Sequence, residues 1–273
     1  MFNYFINSFK RKMARRFFQK YPTVITTFNL EKTGPIEFAN WSNPLVDIKN
    51  ISQGNIDFFK KLVPEGSMCI DIGANIGEHS VSMALAVGKS GMVLSFDPNP
   101  IVFNILVANS QLNTHLTNIK PFNCAISETD SEYYYNSSEA SFSNGGISVE
   151  KVNRHGKYQL EQKIKGVNLD TFLHQNFEKD LPKLRLIKVD TEGYDKEILK
   201  SIAAVIKQYK PVIMAECFPK LTTAERIDLY NSIAQHGYEL YYFEDIDINA
   251  KVVRITEADM DKRRFFDIYA LPI

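Results

Sequence analysis

The chain has 273 residues, 44% hydrophobic and 23% charged, which is enough apolar material for a sizeable core. Its formal net charge is zero, which removes any whole-chain attraction to nucleic acid, and no apolar run approaches the roughly 20 residues that span a bilayer. Cys69, Cys124 and Cys217 are odd in number, far apart and set in apolar runs, so they read as buried free thiols of a reduced, cytoplasmic compartment and not as disulfides or a zinc site.

The chain opens with MFNYFINSFKRKMARRFFQK, where Phe2, Phe5, Ile6, Phe9 and Met13 recur at helical spacing. Lys10, Arg11, Lys12, Arg15, Arg16 and Lys20 face no acidic residue there. Two readings stand: a basic amphipathic helix in peripheral contact with an anionic membrane, or one packing its aromatic face on the domain or on a second subunit of a homo-oligomer. Charges interrupt the apolar stretch and no small-residue cleavage site follows, unlike a signal peptide. Residues 1–65 form an N-terminal helical and extended region with turn signals at TGP and SNP; residues 66–273 form the main domain.

From Cys69 onward the spacing predicts strands near 68–72, 92–96, 119–125, 184–190 and 211–217. Helices are predicted near 76–87, 99–112, 170–177, 194–207 and 222–236. Such alternation implies right-handed crossovers and a parallel sheet covered on both faces. Tyr238–Asp245 and Phe265–Ile273 follow without a convincing helix between them, as an antiparallel pair closing one sheet edge. The fold class is therefore α/β, with five parallel strands plus a C-terminal antiparallel pair in the outline of a Rossmann-like class I methyltransferase sheet. The pattern breaks at 129–166, a Ser-, Asn-, Gly- and Tyr-rich β insertion that is either a surface excursion or a substrate-facing flap.

In MCIDIGANIGEHS, Asp71 ends the first of these strands, and Gly73, Asn75 and Gly77 make the turn into a helix carrying Glu78 and His79. Ligands of open α/β sheets bind beyond the carboxyl ends of the strands, and glycine there admits close backbone approach. The next strand ends LSFDPNP, and a carboxylate at Asp97 suits the hydroxyls of a ribose. A dinucleotide loop would carry three glycines, but here the second and third positions are Asn75 and Glu78, and the latter would set a carboxylate beside a diphosphate. S-adenosyl-L-methionine, which carries a sulfonium and no phosphate, fits better.

These residues resemble the FkbM-type methyltransferase family: IDIGANIGEHS, FDPNP, NCAIS, LIKVDTEGYDKEILK and PVIMAECF follow one another as in that family, over roughly Gly54 to Tyr242. Its pattern includes D-x-G-A-N-x-G after the first strand and K-x-D-x-E-G at the fourth; Asp97 stands where the family usually has Glu. The resemblance implies that Asp71, Gly73, Asn75 and Gly77 surround the methionine part of S-adenosylmethionine, that Asp97 holds the ribose, and that Ala125 offers backbone to the adenine. The segment before Gly54 and the insertion match only loosely and are expected to choose the substrate.

KVDTEGYD packs Lys188, Asp190, Glu192 and Asp195 into one strand end and helix start. Carboxylates at a helix N-terminus explain Glu192 or Asp195, but not Lys188 and Asp190 inside the apolar strand LRLIKVD, where unpaired charge is costly. Adjacent VIMAECF ends with Glu216. Asp190, His79 and Glu192 are the candidate catalytic residues, in two arrangements: Asp190 or His79 as general base, or Asp190 and Glu216, with His79 or Glu192, binding a divalent metal such as Mg, Mn or Fe. His79 also has a plain reading as a capping or packing residue.

Enzymes that methylate base amino groups carry an Asn/Asp-Pro-Pro-aromatic run where this chain reads DTEG, and cytosine C5 enzymes need a Pro-Cys pair that is absent. The tyrosine-rich insertion suits a hydroxylated acceptor, with Tyr133–Tyr135 placed to stack on sugar faces. The resemblance adds sugars, polysaccharide components and secondary metabolites. The expectation is O-methylation of a sugar or sugar nucleotide in polysaccharide biosynthesis. A secondary-metabolite, lipid-linked, protein or RNA acceptor is the alternative, and an NAD-dependent oxidoreductase or a non-catalytic cofactor-binding partner is the rival class.

Overall fold

The computed structural model describes residues 2–150 and 156–273, with side chains from residue 6 onward. Residues 151–155 of the insertion, His155 among them, and the side chains of Phe2 and Phe5 lie outside the described residues. The chain begins with α1 (Phe2–Arg16), the antiparallel hairpin β1 (Thr23–Leu30) and β2 (Gly34–Trp41), and α2 (Gln53–Leu62). A capping box starts α2: the Ser52 hydroxyl accepts from the Asn55 N–H, and the Asn55 side chain accepts from the Ser52 N–H.

Next come β3 (Met68–Ile72), α3 (Glu78–Val87), β4 (Met92–Phe96), α4 (Pro100–Gln111) and β5 (Ile119–Phe122). β6 (Ala125–Ile126) leads into the insertion, which supplies β7 (Ser131–Ser137), β8 (Gly146–Ser148) and β9 (Tyr158–Gln159) and ends in β10 (Ile164–Val167). Then follow α5 (Leu169–Phe177), β11 (Leu184–Val189), α6 (Asp195–Ser201), α7 (Ala203–Tyr209), β12 (Val212–Cys217) and α8 (Thr223–Ala234). The chain ends through β13 (Tyr238–Phe243), β14 (Val252–Ile255) and β15 (Phe266–Pro272).

The main sheet runs β14-β13-β15-β12-β11-β3-β4-β5. Its five strands from β12 to β5 are parallel, as the alternation required. The far edge differs from a simple closing pair. β15 enters between β12 and β13, antiparallel to both, and the unforeseen β14 extends the edge beyond β13.

Period-two alternation splits the strands between two cores. Ile70, Leu94, Ile187 and Ile213 pack with α5 to α8 on one face. Cys69, Val93, Leu186 and Met214 pack on the other with α2, α3 and α4 and with Phe38 and Trp41 of the hairpin. The three cysteines are buried free thiols.

The expected helix over 194–207 is two helices, broken at Ile202, whose φ of −108° and ψ of 19° leave the helical region. The expected strand over 119–125 is also divided: Pro121 sits on the edge strand β5, where a missing N–H is tolerated, and Asn123 turns its amide to the Asp97 carbonyl at 2.9 Å. The insertion forms a second sheet, β6-β10-β7-β8, with β9 also on β7.

The chain passes outward from β3 to β4 and β5, then returns through the insertion to β11 on the other side of β3. That reversal opens a crevice at the carboxyl ends of β3 and β11, where open α/β sheets place their ligands.

Candidate active site

One row of polar side chains crosses the sheet where its neighbours are aliphatic. Lys188 is in register with Asp71, and Asp71 with Ser95. Parity puts all three on the face covered by α3, and Asp190 follows Lys188 on the same face. The Ser80 hydroxyl, from α3, donates to Asp71 Oδ2 at 2.6 Å, and the Ser95 hydroxyl donates to that of Ser80 at 2.8 Å. Lys188 Nζ lies 3.0 Å from Asp190 Oδ2 and 3.7 Å from Asp71 Oδ1. Burial alone would strip the proton from Lys188, but the two carboxylates hold it well above the usual lysine range. Burial pushes Asp190 up, and the Lys188 ammonium overrides this and holds it below the usual carboxylate range.

Three strand ends are laced together above that row. The Gly73 and Ala74 N–H groups donate to the Phe96 carbonyl, and the Asp190 N–H to that of Ile72, all at 3.0 Å. Gly73 has φ +79°, and a Cβ there would lie 1.8 Å from the Asp190 backbone carbonyl oxygen. Gly77 has φ +93°, and its Cβ would lie 2.7 Å from Leu106 Cδ1. Both glycines therefore answer protein packing, whereas the sequence suggested close approach to a ligand.

Asn75, at φ +50°, donates its N–H to Asp97 Oδ2, and Asn99 donates its N–H to Oδ1, each at 2.8 Å. Each Asp97 oxygen keeps further acceptor capacity. Burial, opposed by these two bonds, raises Asp97 to about 7.

Over these groups lies a cavity of about 790 Å³, within the roughly 300–1,000 Å³ of small-molecule sites. Asp190, His79 and Glu192, the expected catalytic residues, all line it, as do Gly73, Asn75, Asp97 and Ala125. Two expected cofactor residues do not. Asp71 is fully buried beneath the loop and anchors Ser80 and Lys188, and Gly77 turns the chain into α3 against Leu106.

The expected metal pair is not assembled. Only Asp190 of the two reaches the cavity, and its partner there is the Lys188 ammonium. Glu216 lies in the sheet opposite Asp267, its Oε2 without a hydrogen-bond partner, and burial and then the Asp190 charge raise it to about 9, so it is a neutral acid at pH 7. Among the described residues no group of three or more His, Cys, Asp or Glu side chains is placed to hold a metal ion.

His79 is held neutral. Burial, then the charges of Lys188 and Lys49, lower it to about 3. Glu192 moves the other way, raised by burial and then by Asp190, from a backbone at φ +57° that a non-glycine residue adopts at a cost.

The insertion forms the opposite wall: Tyr133 and Tyr135 face the cavity, and the stretch from Ser143 to Glu150 completes it. Tyr134 points to the other face of β7, under Lys163 Nζ at 5.3 Å, so two of the three tyrosines expected at the site are there.

The chain matches the family described as the methyltransferase FkbM domain over residues 71–240. The chain belongs to the FkbM methyltransferase family. It is 26% identical over 161 residues to methyltransferase sdnD of Sordaria araneosa, covering 51% of this chain and 62% of that protein. It is also 26% identical over 165 residues to hexuronic acid methyltransferase AglP of Haloferax volcanii, covering 59% of this chain and 62% of that one. The chain thus spans about six-tenths of the length of these curated relatives. The crystal structure of methyltransferase FkbM from Methylobacillus flagellatus KT superposes with a TM-score of 0.47 at 15% identity, covering 78% of this chain and 47% of that chain.

Several residues of this FkbM-family cavity were not assigned from sequence. Lys49, from the loop before α2, pairs with Glu78 at 2.9 Å, and both line the cavity. No local signal announces Lys49, because only packing of the N-terminal hairpin brings it there. Phe218 and Lys220 lie just past β12, where the strand-end rule would have found them. Asn99 caps α4 by accepting from the Ile101 N–H and also donates to the Phe142 carbonyl of the insertion at 2.8 Å.

Proposed function

We propose that this FkbM-family chain is an S-adenosylmethionine-dependent O-methyltransferase acting on a hydroxyl of a sugar, sugar nucleotide or polysaccharide component. The observation that carries the reading is Asp97: it is braced by two backbone N–H groups, has spare acceptor capacity, and lines the same cavity as Asp190, His79 and Glu192. A nucleoside fits those residues. Asp97 would accept the ribose hydroxyls, while Phe96, Val102, Ala125 and Ile126 give the apolar flank that an adenine needs. Bound there, S-adenosylmethionine supplies an electrophilic methyl group on a sulfonium.

The chain's own groups then divide the work. Glu192, whose carboxyl is held above its usual range by burial and then by the Asp190 charge, would take the proton of the acceptor hydroxyl as the O–CH₃ bond forms, the C–S bond breaks and S-adenosylhomocysteine leaves. Asp190 stays ionised against Lys188 and orients that hydroxyl; His79, neutral, contributes a hydrogen bond without adding charge. Tyr133 would offer a ring face to a sugar, with Tyr135 packed against Phe142 behind it and the stretch from Ser143 to Glu150 beside the acceptor. The hexuronic acid methyltransferase among the relatives supports a carbohydrate acceptor.

The first test is isothermal titration with S-adenosylhomocysteine after chelation, with and without Mg²⁺ or Mn²⁺, followed by methyl transfer to a panel of sugar nucleotides and polysaccharides. Micromolar, metal-independent binding and a methyl ether on a sugar are expected. Absence of binding in every condition would sink the reading.

A further inference from the structure

Helix α1 carries a feature that methyl transfer does not use. Ile6, Phe9 and Met13 fall at i, i+3 and i+7 on one stripe, and Phe17, just past the helix end but still donating its N–H to the Met13 carbonyl at 2.9 Å, continues it; Phe18 follows. They are 37%, 64%, 37%, 58% and 58% exposed in that order, whereas Ala14, on another side of the helix, is fully buried. The helix is thus already seated on the protein, and the stripe faces away. Lys10 adjoins the stripe on one side, and Lys12 and Arg16 on the other; all are exposed. The first acidic residue of the chain is Glu31.

We propose that α1 docks the protein on an anionic membrane surface, its apolar stripe entering the interface and its flanking cations meeting lipid phosphates. Arg15, on the seated side of the helix, lies 3.8 Å from Glu139, but Lys10, Lys12 and Arg16 form no ion pair among the described residues, and such cations beside an apolar stripe are the complement of an anionic surface. A second copy in a two-fold contact would set like charges against each other across the stripe. A nucleic acid would engage the cations but leave Ile6, Phe9, Met13 and Phe17 in water.

The seat of the helix ties this face to the active-site cavity. The Ala14 and Arg15 carbonyls accept from the Ser141 and Ala140 N–H groups at 3.1 Å, and the Phe18 ring meets Phe142 edge-on at 6.4 Å. Phe142 in turn accepts from Asn99, whose N–H braces Asp97. Residues from Ser143 onward are the cavity wall itself. A docked α1 therefore holds the acceptor side of the cavity close to the lipid, which suits an acceptor carried on a membrane lipid; this last step rests on the proposed methyl transfer.

The test is co-sedimentation of the full chain with vesicles of phosphatidylglycerol mixed with phosphatidylcholine, against vesicles of phosphatidylcholine alone, at low and high salt. We expect at least about tenfold stronger partition onto the anionic vesicles, weakened by salt. A Phe9→Glu/Met13→Glu variant, altered only at exposed positions, should lose partition while keeping the S-adenosylhomocysteine affinity of the wild type. Lys10→Glu/Lys12→Glu should lose the preference for anionic lipid. Equal partition of wild type and the first variant, or none by the wild type, would overturn the proposal. So would a dimer in light scattering that Phe9→Glu/Met13→Glu splits, since the stripe would then be covered by a second copy. Vesicle binding without nucleoside binding would leave the docking in place and remove the methyltransferase reading.

Discussion

Lys188 Nζ stands between two carboxylates, 3.0 Å from Asp190 Oδ2 and 3.7 Å from Asp71 Oδ1, and only one of the two reaches the cavity. The lysine joins a fully buried acid to a half-buried one at the cavity. Replacing it by methionine keeps most of the volume but leaves Asp71 fully buried with Ser80 as its hydrogen-bond donor. Lys188→Met should destabilise the fold by about 3–5 kcal/mol in denaturant unfolding, the usual cost of breaking a buried pair from one side. A loss below about 1 kcal/mol would show that Asp71 does not depend on the ammonium.

Asp190 and Glu192 are assigned different work and should separate in kinetics. Glu192→Gln should slow methyl transfer by about 10²–10⁴-fold and remove the acid limb of the rate profile, because it deletes the proton acceptor. Asp190→Asn should also abolish most transfer, yet leave S-adenosylhomocysteine binding within about tenfold, since its role is toward the acceptor. Loss of nucleoside binding in a folded Asp190→Asn protein would move Asp190 to the cofactor.

Asp97 sets a pH dependence for nucleoside binding. Its carboxyl is raised to about 7 without ligand, and a carboxylate that accepts ribose hydroxyls is favoured when ionised. Affinity for S-adenosylhomocysteine should therefore rise from pH 6 to pH 8 and level off above. Asp97→Asn should bind more weakly and flatten the curve. A curve of unchanged shape in the variant would place the titration elsewhere.

Glu216 gives a stability signature of its own. Its pKa rises from 4.5 to about 9 on folding, so the folded chain holds a proton that the unfolded chain has released. Its contribution is complete below about pH 4.5 and is lost as pH climbs through 9. Asp97 and Asp195, both raised to about 7, and Asp267, raised to about 6, act in the same direction but lower on the scale. The decline in stability between pH 7 and pH 9 should therefore belong largely to Glu216. Glu216→Gln should flatten that arm in denaturant melts, and a decline of equal slope in the variant would refute the assignment.

Much of the architecture was legible in the sequence because its signals are local. Apolar runs ending in Asp71, Asp97, Asp190 and Glu216 mark parallel strands whose carboxyl ends gather at one crevice, and the crossover rule fixes how they assemble. Period two was enough to set Lys188 and Asp190 side by side, and the structure joins them by a hydrogen bond. Side-chain depth was not legible. Asp71 and Gly77 belong to the same loop motif as Asn75, yet lie beneath it or in its turn, and Glu216 ends a strand beside β11 without reaching the cavity. Such depth depends on what neighbouring strands and α3 bring against each side chain, as Ser80 and Lys188 are brought to Asp71. Lys49 and the seat of α1 on Ala140–Ser141 are contacts between segments distant in the chain, so no local spacing encodes them. The sequence by itself determined the order of strands and the carboxylates at their ends. Only the tertiary structure decided which of those carboxylates face the cavity and which are buried, because burial is a property of the packed neighbours and not of the strand that carries the charge.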